Sequence, residues 1–319
     1  VGAQCARVWK EIDPAFSKKC LGSAEAAWTA AVANPAIYAP ESDNVGGGPY
    51  DDKNVTDEFY WAAAELFITT GKPEYQKAIA TAPFYKHFPV SSEGSASSGA
   101  VTPMTWQDTA ALGSISLAVV PSTLDKAAVG ALRGQIAAAA DQIAALTART
   151  GYRVPVSGGP GHRYPWGSNS LVLNNALVLG LAHDFTKSPK YAAAMVDAMD
   201  YLLGRNPVAK SYVSGYGENP LEHPHHRFWS KQVNPKMPSP PPGLVSGGPN
   251  SGLQDPYVQA AGLKGCAPQK CYVDNIAAFS VNEVAINWNA PLAWVTAYLD
   301  ELARGSGEAS GKTGGKSTP

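Results

Sequence analysis

His223, His225, His226 and Arg227 stand within a stretch of five residues, in a segment (211–227) that also carries Gly215, Gly217, Pro220 and Pro224. Three chemistries suit such a cluster. Metal binding is the least favoured, because Pro224 breaks any helix that would set two histidines four residues apart, and no neighbouring carboxylate has an obvious ligand spacing. Plain surface polarity is the second. The third is recognition of an oxygen-rich ligand, for which a stiff loop with many N–H donors is well suited.

A second constellation follows at 272–290. Asp274 and Glu283 are its only carboxylates, nine residues apart, and Val281, Val284, Ile286 and Trp288 flank Glu283. An apolar surround disfavours the ionised form of a carboxyl and raises its pKa. A general acid working near neutrality needs that property. A Glu that caps the following helix or pairs with an Arg reads equally well.

Aromatic residues are the third feature. Tyr60, Trp61, Trp106, Tyr164, Trp166, Tyr216, Trp229 and Trp288 fall in or beside loops and helix ends. Aromatic rings stack on the apolar faces of sugars, while His, Arg, Asn and carboxylates bond the hydroxyls. For any one of these rings, packing in the core is the default.

The elements that must position these groups are helices. Apolar periodicity predicts helices at the N-terminus (with Ala3, Ala6, Val8 and Ile12 as inward positions), at Pro14–Asn34, and at Val55–Thr70 with Thr56 as N-cap. Further helices are predicted at Trp106–Val120, Thr123–Arg149, Ser168–Phe185, Pro189–Leu203 and Asn289–Ala303. No alternating strand pattern and no βαβ rhythm is evident, so the predicted class is all-α, built from helical hairpins. Long irregular stretches at 38–52, 91–105 and 211–286 are the places to look for function. The tail from Gly305 is low in complexity and reads as a flexible linker.

The 319 residues hold 25 Lys+Arg against 26 Asp+Glu, a net charge of −1 that argues against a nucleic-acid partner. With 45% apolar residues a sizeable core can be buried, yet no run is long enough to span a membrane. Cys5, Cys20, Cys266 and Cys271 fit no zinc spacing; two disulfides or four buried thiols account for them equally.

The two polar segments resemble the paired signatures of glycoside hydrolase family 9, the cellulase family. Ser211, Val213, Ser214, Gly215, Gly217, Asn219, Pro224, His225 and Arg227 match the first. Tyr272, Asp274, Phe279, Glu283, Ala285, Asn289 and Ala290 match the second at the expected spacing. The segments 57–66 and 166–170 are similar to the family as well. The resemblance covers residues 1–304 as one catalytic domain, with 305–319 as tail.

It implies a toroid of six α/α hairpins. It also implies hydrolysis of internal β-1,4-glucosidic bonds with inversion, an acid and a base carboxyl standing roughly 6.5–9.5 Å apart. Glu283 is then the general acid, Asp274 the assisting carboxylate, and His225 a contact near the cleavage point. Arg227, Tyr216, Trp166, Tyr60, Trp106, Trp229 and Asn289 are the expected substrate contacts. No cofactor is needed for the chemistry, although Asp51, Asp52 and Asp57 are candidate ligands of a structural calcium.

The family's base motif, Asp-Ala-Gly-Asp, does not occur in this sequence. The resemblance therefore implies a toroid incomplete at its N-terminal end, with exposed apolar helix faces and little turnover of its own. The implied partners are cellulose or another β-1,4-glucan, a missing N-terminal segment, and a carbohydrate-binding module beyond the tail, with no nucleic acid and no membrane. The implied location is extracellular. The alternatives are an exo-acting cellobiohydrolase, a carbohydrate-binding scaffold without catalysis, and a metal-dependent enzyme using the 223–226 histidines.

Overall fold

In a computed structural model, residues 1–43, 45, 52–89, 102–157 and 163–311 are described. Eleven α-helices occur among them: α1 (Gly2–Trp9), α2 (Pro14–Ala33), α3 (Thr56–Thr70), α4 (Pro73–Thr81), α5 (Ala110–Val119), α6 (Lys126–Arg149), α7 (Ser168–Thr186), α8 (Pro189–Leu202), α9 (Pro256–Ala260), α10 (Phe279–Asn282) and α11 (Ile286–Gly311). No strand forms among the described residues; the only β features there are isolated bridges such as Val213 with Val245. The all-α expectation holds.

The chain divides into two compact units, Val1–Pro89 with Trp106–Ile136, and Val90–Thr105 with Ala137–Pro319. In the first, α1 packs on α2, and α3 packs on α4 and α5. Tyr60, Ala63, Ala64, Leu66 and Phe67 of α3 are buried there with Tyr75 and Ile79 of α4. A buried carboxylate, Glu65, ties this unit together. It pairs with Arg7 of α1 and accepts from Ser116 Oγ of α5 at 2.6 Å and Trp61 Nε1 at 3.1 Å. In the second unit α7 packs on α8 and α11, with Leu173, Leu179, Met195, Tyr201 and Val295 inside.

Cys5–Cys20 and Cys266–Cys271 are disulfide-bonded, so the disulfide reading of the four cysteines is the one that holds. Cys5–Cys20 links α1 to α2, and Cys266–Cys271 closes a small loop just before Tyr272.

Several element boundaries differ from expectation, each for a local reason. α1 stops at Trp9. Ala3 and Ala6 are buried as expected, but Val8 and Ile12 are exposed because the chain turns there toward α2, which Asp13 caps by accepting from Phe16 N–H. Thr56 is the first helical residue and not the cap; its N–H and hydroxyl both donate to Asn54 Oδ1. The helix expected from Trp106 begins only at Ala110, because Asp57 draws in the Thr109 N–H at 2.6 Å. The start of α6 is delayed to Lys126 by Asp125, whose carboxylate accepts from the Ala127 and Ala128 N–H groups. Helix α4 went unforeseen, although Pro73 in its first turn and buried Tyr75 and Ile79 four residues apart are its signature. The last helix runs on to Gly311, so the first residues of the expected linker are helical.

Candidate active site

The second unit gathers the two polar segments around Asp274 and Asn282. Asp274 accepts from the backbone N–H of Glu222 at 2.8 Å and of His223 at 2.9 Å, and from Asn282 Nδ2 at 3.1 Å. Its other partner is Lys210, whose ammonium stands 3.0 Å away. Asn282 donates to the His223 carbonyl at 2.6 Å, and its own Oδ1 accepts from the buried Tyr272 hydroxyl at 2.7 Å. His225 N–H donates to the Asn282 carbonyl at 2.8 Å, which completes a parallel bridge between His225 and Glu283. The histidine loop and the acid are thus laced together by backbone bonds.

The loop owes its shape to glycine. Gly217 adopts φ +79 and lies against the Leu203 carbonyl, where the next residue, Glu218, donates its N–H at 2.8 Å. A side chain there would meet backbone that cannot move aside. Gly248, with φ +85, lets the 245–250 segment close on the Asn169 amide. That segment in turn carries the Gly247 N–H that donates to the Glu283 carbonyl at 2.9 Å.

Glu283 follows α10 as its C-cap, with its carboxyl half-buried. Among the described residues it neither caps the following helix nor pairs with an Arg. It accepts from the Trp166 indole N–H at 3.1 Å. Burial pushes its pKa up from the ordinary carboxylate value, while the Trp166 hydrogen bond and the charge of the neighbouring His225 ring pull the other way. Part of the surround comes from residues remote in the chain. The rings of Trp166 and Phe279 lie 5.8 Å apart and those of His225 and Phe279 5.7 Å apart, whereas Ile286 is 91% exposed. Trp288 packs beside Gly167 and Gly247.

His225 donates through Nδ1 to the Ile276 carbonyl at 2.5 Å, which leaves Nε2 for other partners. His226 is used differently. Its Nδ1 accepts from the Phe228 and Trp229 N–H groups, and its ring stacks on Trp229 at 4.0 Å. Burial and then His225 lower its pKa, favouring the neutral ring that this capping role requires. Arg227 and Tyr216 are exposed on the same loop, and Trp166 is partly exposed. Among the described residues no three His, Cys, Asp or Glu groups gather as a metal site.

Two expected substrate contacts are placed otherwise. Tyr60 is 1% exposed, its hydroxyl bonded to Ser114 Oγ at 2.9 Å, and belongs to the core of the first unit. Burial pushes its pKa up to about 12. Asn289 spends its amide on the backbone, accepting from Val245 N–H at 2.9 Å and donating to the Ala285 carbonyl at 2.9 Å. Trp106 is half-exposed and belongs to the first unit. Tyr164, read from sequence as a ring near a cleft, is likewise buried.

Of the three calcium candidates, two are described. Asp57 is buried and turned to the Thr109 N–H and hydroxyl, Asp52 accepts from Asn54 N–H, and Asp51 lies outside the described residues. Beside Asp57, burial first and a hydrogen bond with Asp57 second push the Glu58 carboxyl up to about 8.

Sequence reading missed Lys210 and Asn282. Asn282 could have been noticed as the polar residue preceding the acid. The partner of Lys210 is 64 positions away and has no local signal.

The sequence model of Glycosyl hydrolase family 9 matches residues 1–296, and the chain belongs to that family. It is 49% identical over 310 residues to a cellulose 1,4-beta-cellobiosidase of Acetivibrio thermocellus, covering 94% of this chain and 35% of that relative. It is 40% identical to endoglucanase C of Cellulomonas fimi over 97% of this chain and 27% of that one. Among solved structures it resembles the family 9 endoglucanase J30, with a TM-score of 0.80, 29% identity, and coverage of 93% of this chain and 52% of that one. The fold class is that of these α/α toroid enzymes, and the chain spans about half or less of the length of each relative.

Proposed function

We propose that the chain serves the hydrolysis of β-1,4-glucosidic bonds in cellulose or a related β-glucan, with inversion and with Glu283 as the general acid. The observation that carries this reading is the half-buried Glu283 carboxyl, raised by burial and held by the Trp166 indole beside His225. Such a group keeps its proton closer to neutrality than an ordinary carboxyl does. It can give that proton to the glycosidic oxygen as the bond to the anomeric carbon breaks and water attacks the opposite face.

In this reading Asp274 acts by holding the His223–His225 backbone and Asn282, while Trp166, Arg227, Tyr216 and the His226-supported Trp229 offer ring faces and donors to sugar. No cofactor takes part in the chemistry. A polymeric substrate implies work outside the cell, in keeping with two disulfides.

The test is Glu283→Gln in the full-length protein, assayed by reducing-sugar release from soluble carboxymethylcellulose. We expect a loss of about 100- to 10,000-fold, the usual worth of a general acid. Parent-like release by the variant overturns the assignment. A second reading, chain-end release of cellobiose, is favoured by the 49% identical relative named a cellobiosidase. Cellobiose as the sole early product, with viscosity unchanged, would establish it over internal cleavage.

A further inference from the structure

We propose that Lys210 is a positioning residue for the acid, acting through Asp274 and Asn282; this rests on the reading of Glu283 given above. Lys210 touches neither Glu283 nor the histidine rings. Its ammonium lies 3.0 Å from Asp274 Oδ2, with side-chain exposures of 14% for Lys210 and 9% for Asp274. It also donates to the Pro220 carbonyl at 3.0 Å and the Asn219 carbonyl at 3.2 Å. One side chain therefore spans the segment that leads into the histidine loop and the segment that leads into the acid.

The chain of contacts is short. Asp274 uses one oxygen on Lys210 and Glu222 N–H, and the other on His223 N–H and Asn282 Nδ2. Asn282 is bonded to Glu283 through the peptide link, and its carbonyl accepts the His225 N–H. Removing the cation leaves a carboxylate largely withdrawn from water with no counter-charge, a state that is strongly disfavoured. The side chain relieves it by turning toward water, and in doing so lets go of the two loop amides and of Asn282. The acid and His225 then lose their common anchor. A displacement of about 1 Å at a proton donor is enough to lower turnover by roughly 100-fold.

The position favours Lys over a neutral donor. Asn219 and Pro220 supply only carbonyl acceptors, Asp274 supplies the charge, and an ammonium has three donors to meet them. Arg carries the same charge, so the ion pair with Asp274 survives in its place even though its planar guanidinium does not reproduce every carbonyl contact.

The experiment compares Lys210→Gln and Lys210→Arg in the full-length protein on two substrates. One is a cello-oligosaccharide, whose leaving sugar needs a proton. The other is 2,4-dinitrophenyl β-cellobioside, whose leaving group departs without one. Lys210→Gln should lower kcat on the oligosaccharide by roughly 100-fold with KM little changed, and should keep most of its rate on the dinitrophenyl substrate. Hydrogen exchange read by mass spectrometry should show the Glu222 and His223 amides opening faster in Lys210→Gln. Lys210→Arg should restore both behaviours.

An equal loss on the two substrates, or unchanged kcat with unchanged exchange, overturns the inference. If the parent cleaves neither substrate, the proposed function falls, while the exchange measurement still decides the role of Lys210. If Lys210→Gln does not fold, Lys210→Arg decides: parent-like amide protection and substrate ratio support the role, and loss of either overturns it.

Discussion

A carboxyl works as an acid near neutrality only if its surroundings resist its ionisation, and at Glu283 the surroundings pull both ways. Burial favours the protonated form, and the Trp166 N–H favours the carboxylate by bonding it. Removing that donor must therefore raise the Glu283 pKa further. The acid then stays protonated to higher pH, and the alkaline limb of the kcat/KM profile moves upward in pH. Trp166→Phe keeps a ring and deletes the N–H, and kcat/KM measured from pH 4 to 9 should show the limb shifted that way, whatever happens to the plateau. A limb that moves down, or stays, contradicts the donor role. Residue types and spacing marked Glu283 as a candidate, and the resemblance to the family signature set it apart. Its environment was not legible, because the side chains that set it come from Trp166, 117 positions upstream, and His225, while the neighbour Ile286 faces solvent.

Helices were legible as elements because apolar periodicity survives in any context, but their starts were set by remote or overlooked partners. Asp57 fixes Thr109 from 52 positions away, and no window around Trp106 contains that information. Asn289 shows the same limit in a motif residue. Its position matched a family signature, which suggested contact with sugar, yet its amide is committed to joining the 245 segment to α11. Asn289→Ala leaves the N–H of Val245, a fully buried residue, without its acceptor. That loss should cost about 1–3 kcal/mol, the penalty of an orphaned buried donor. Urea unfolding should show a lower midpoint at unchanged slope. Because Gly247 of the same segment donates to the Glu283 carbonyl, activity should fall as well. Wild-type stability would show that the segment is held by its other bonds alone.

At the scale of the whole molecule the two signatures carried the family from sequence alone, since two long motifs in the right order rarely coincide. The packing quality of each helix was not legible in the same way. Helix α2 is twenty residues long and none of them is buried; its Val32 is exposed, as are Val8, Ile12 and Ile37 nearby in the chain. Periodicity marks a face as apolar but does not say whether anything covers it. With a net charge of −1, long-range repulsion does little to keep copies apart. Exposed apolar side chains favour association. The 319-residue chain should therefore show a weight-average mass in sedimentation velocity that rises with concentration between micromolar and tens of micromolar. Replacing Val8, Ile12 and Val32 together by Lys adds three positive charges at exposed positions and should return the chain to a concentration-independent monomer without lowering its melting temperature by more than a few degrees, since surface exchanges of this kind shift stability by only about 0.5 kcal/mol each. A parent that sediments as a monomer throughout would mean that these side chains are too scattered to form an adhesive patch.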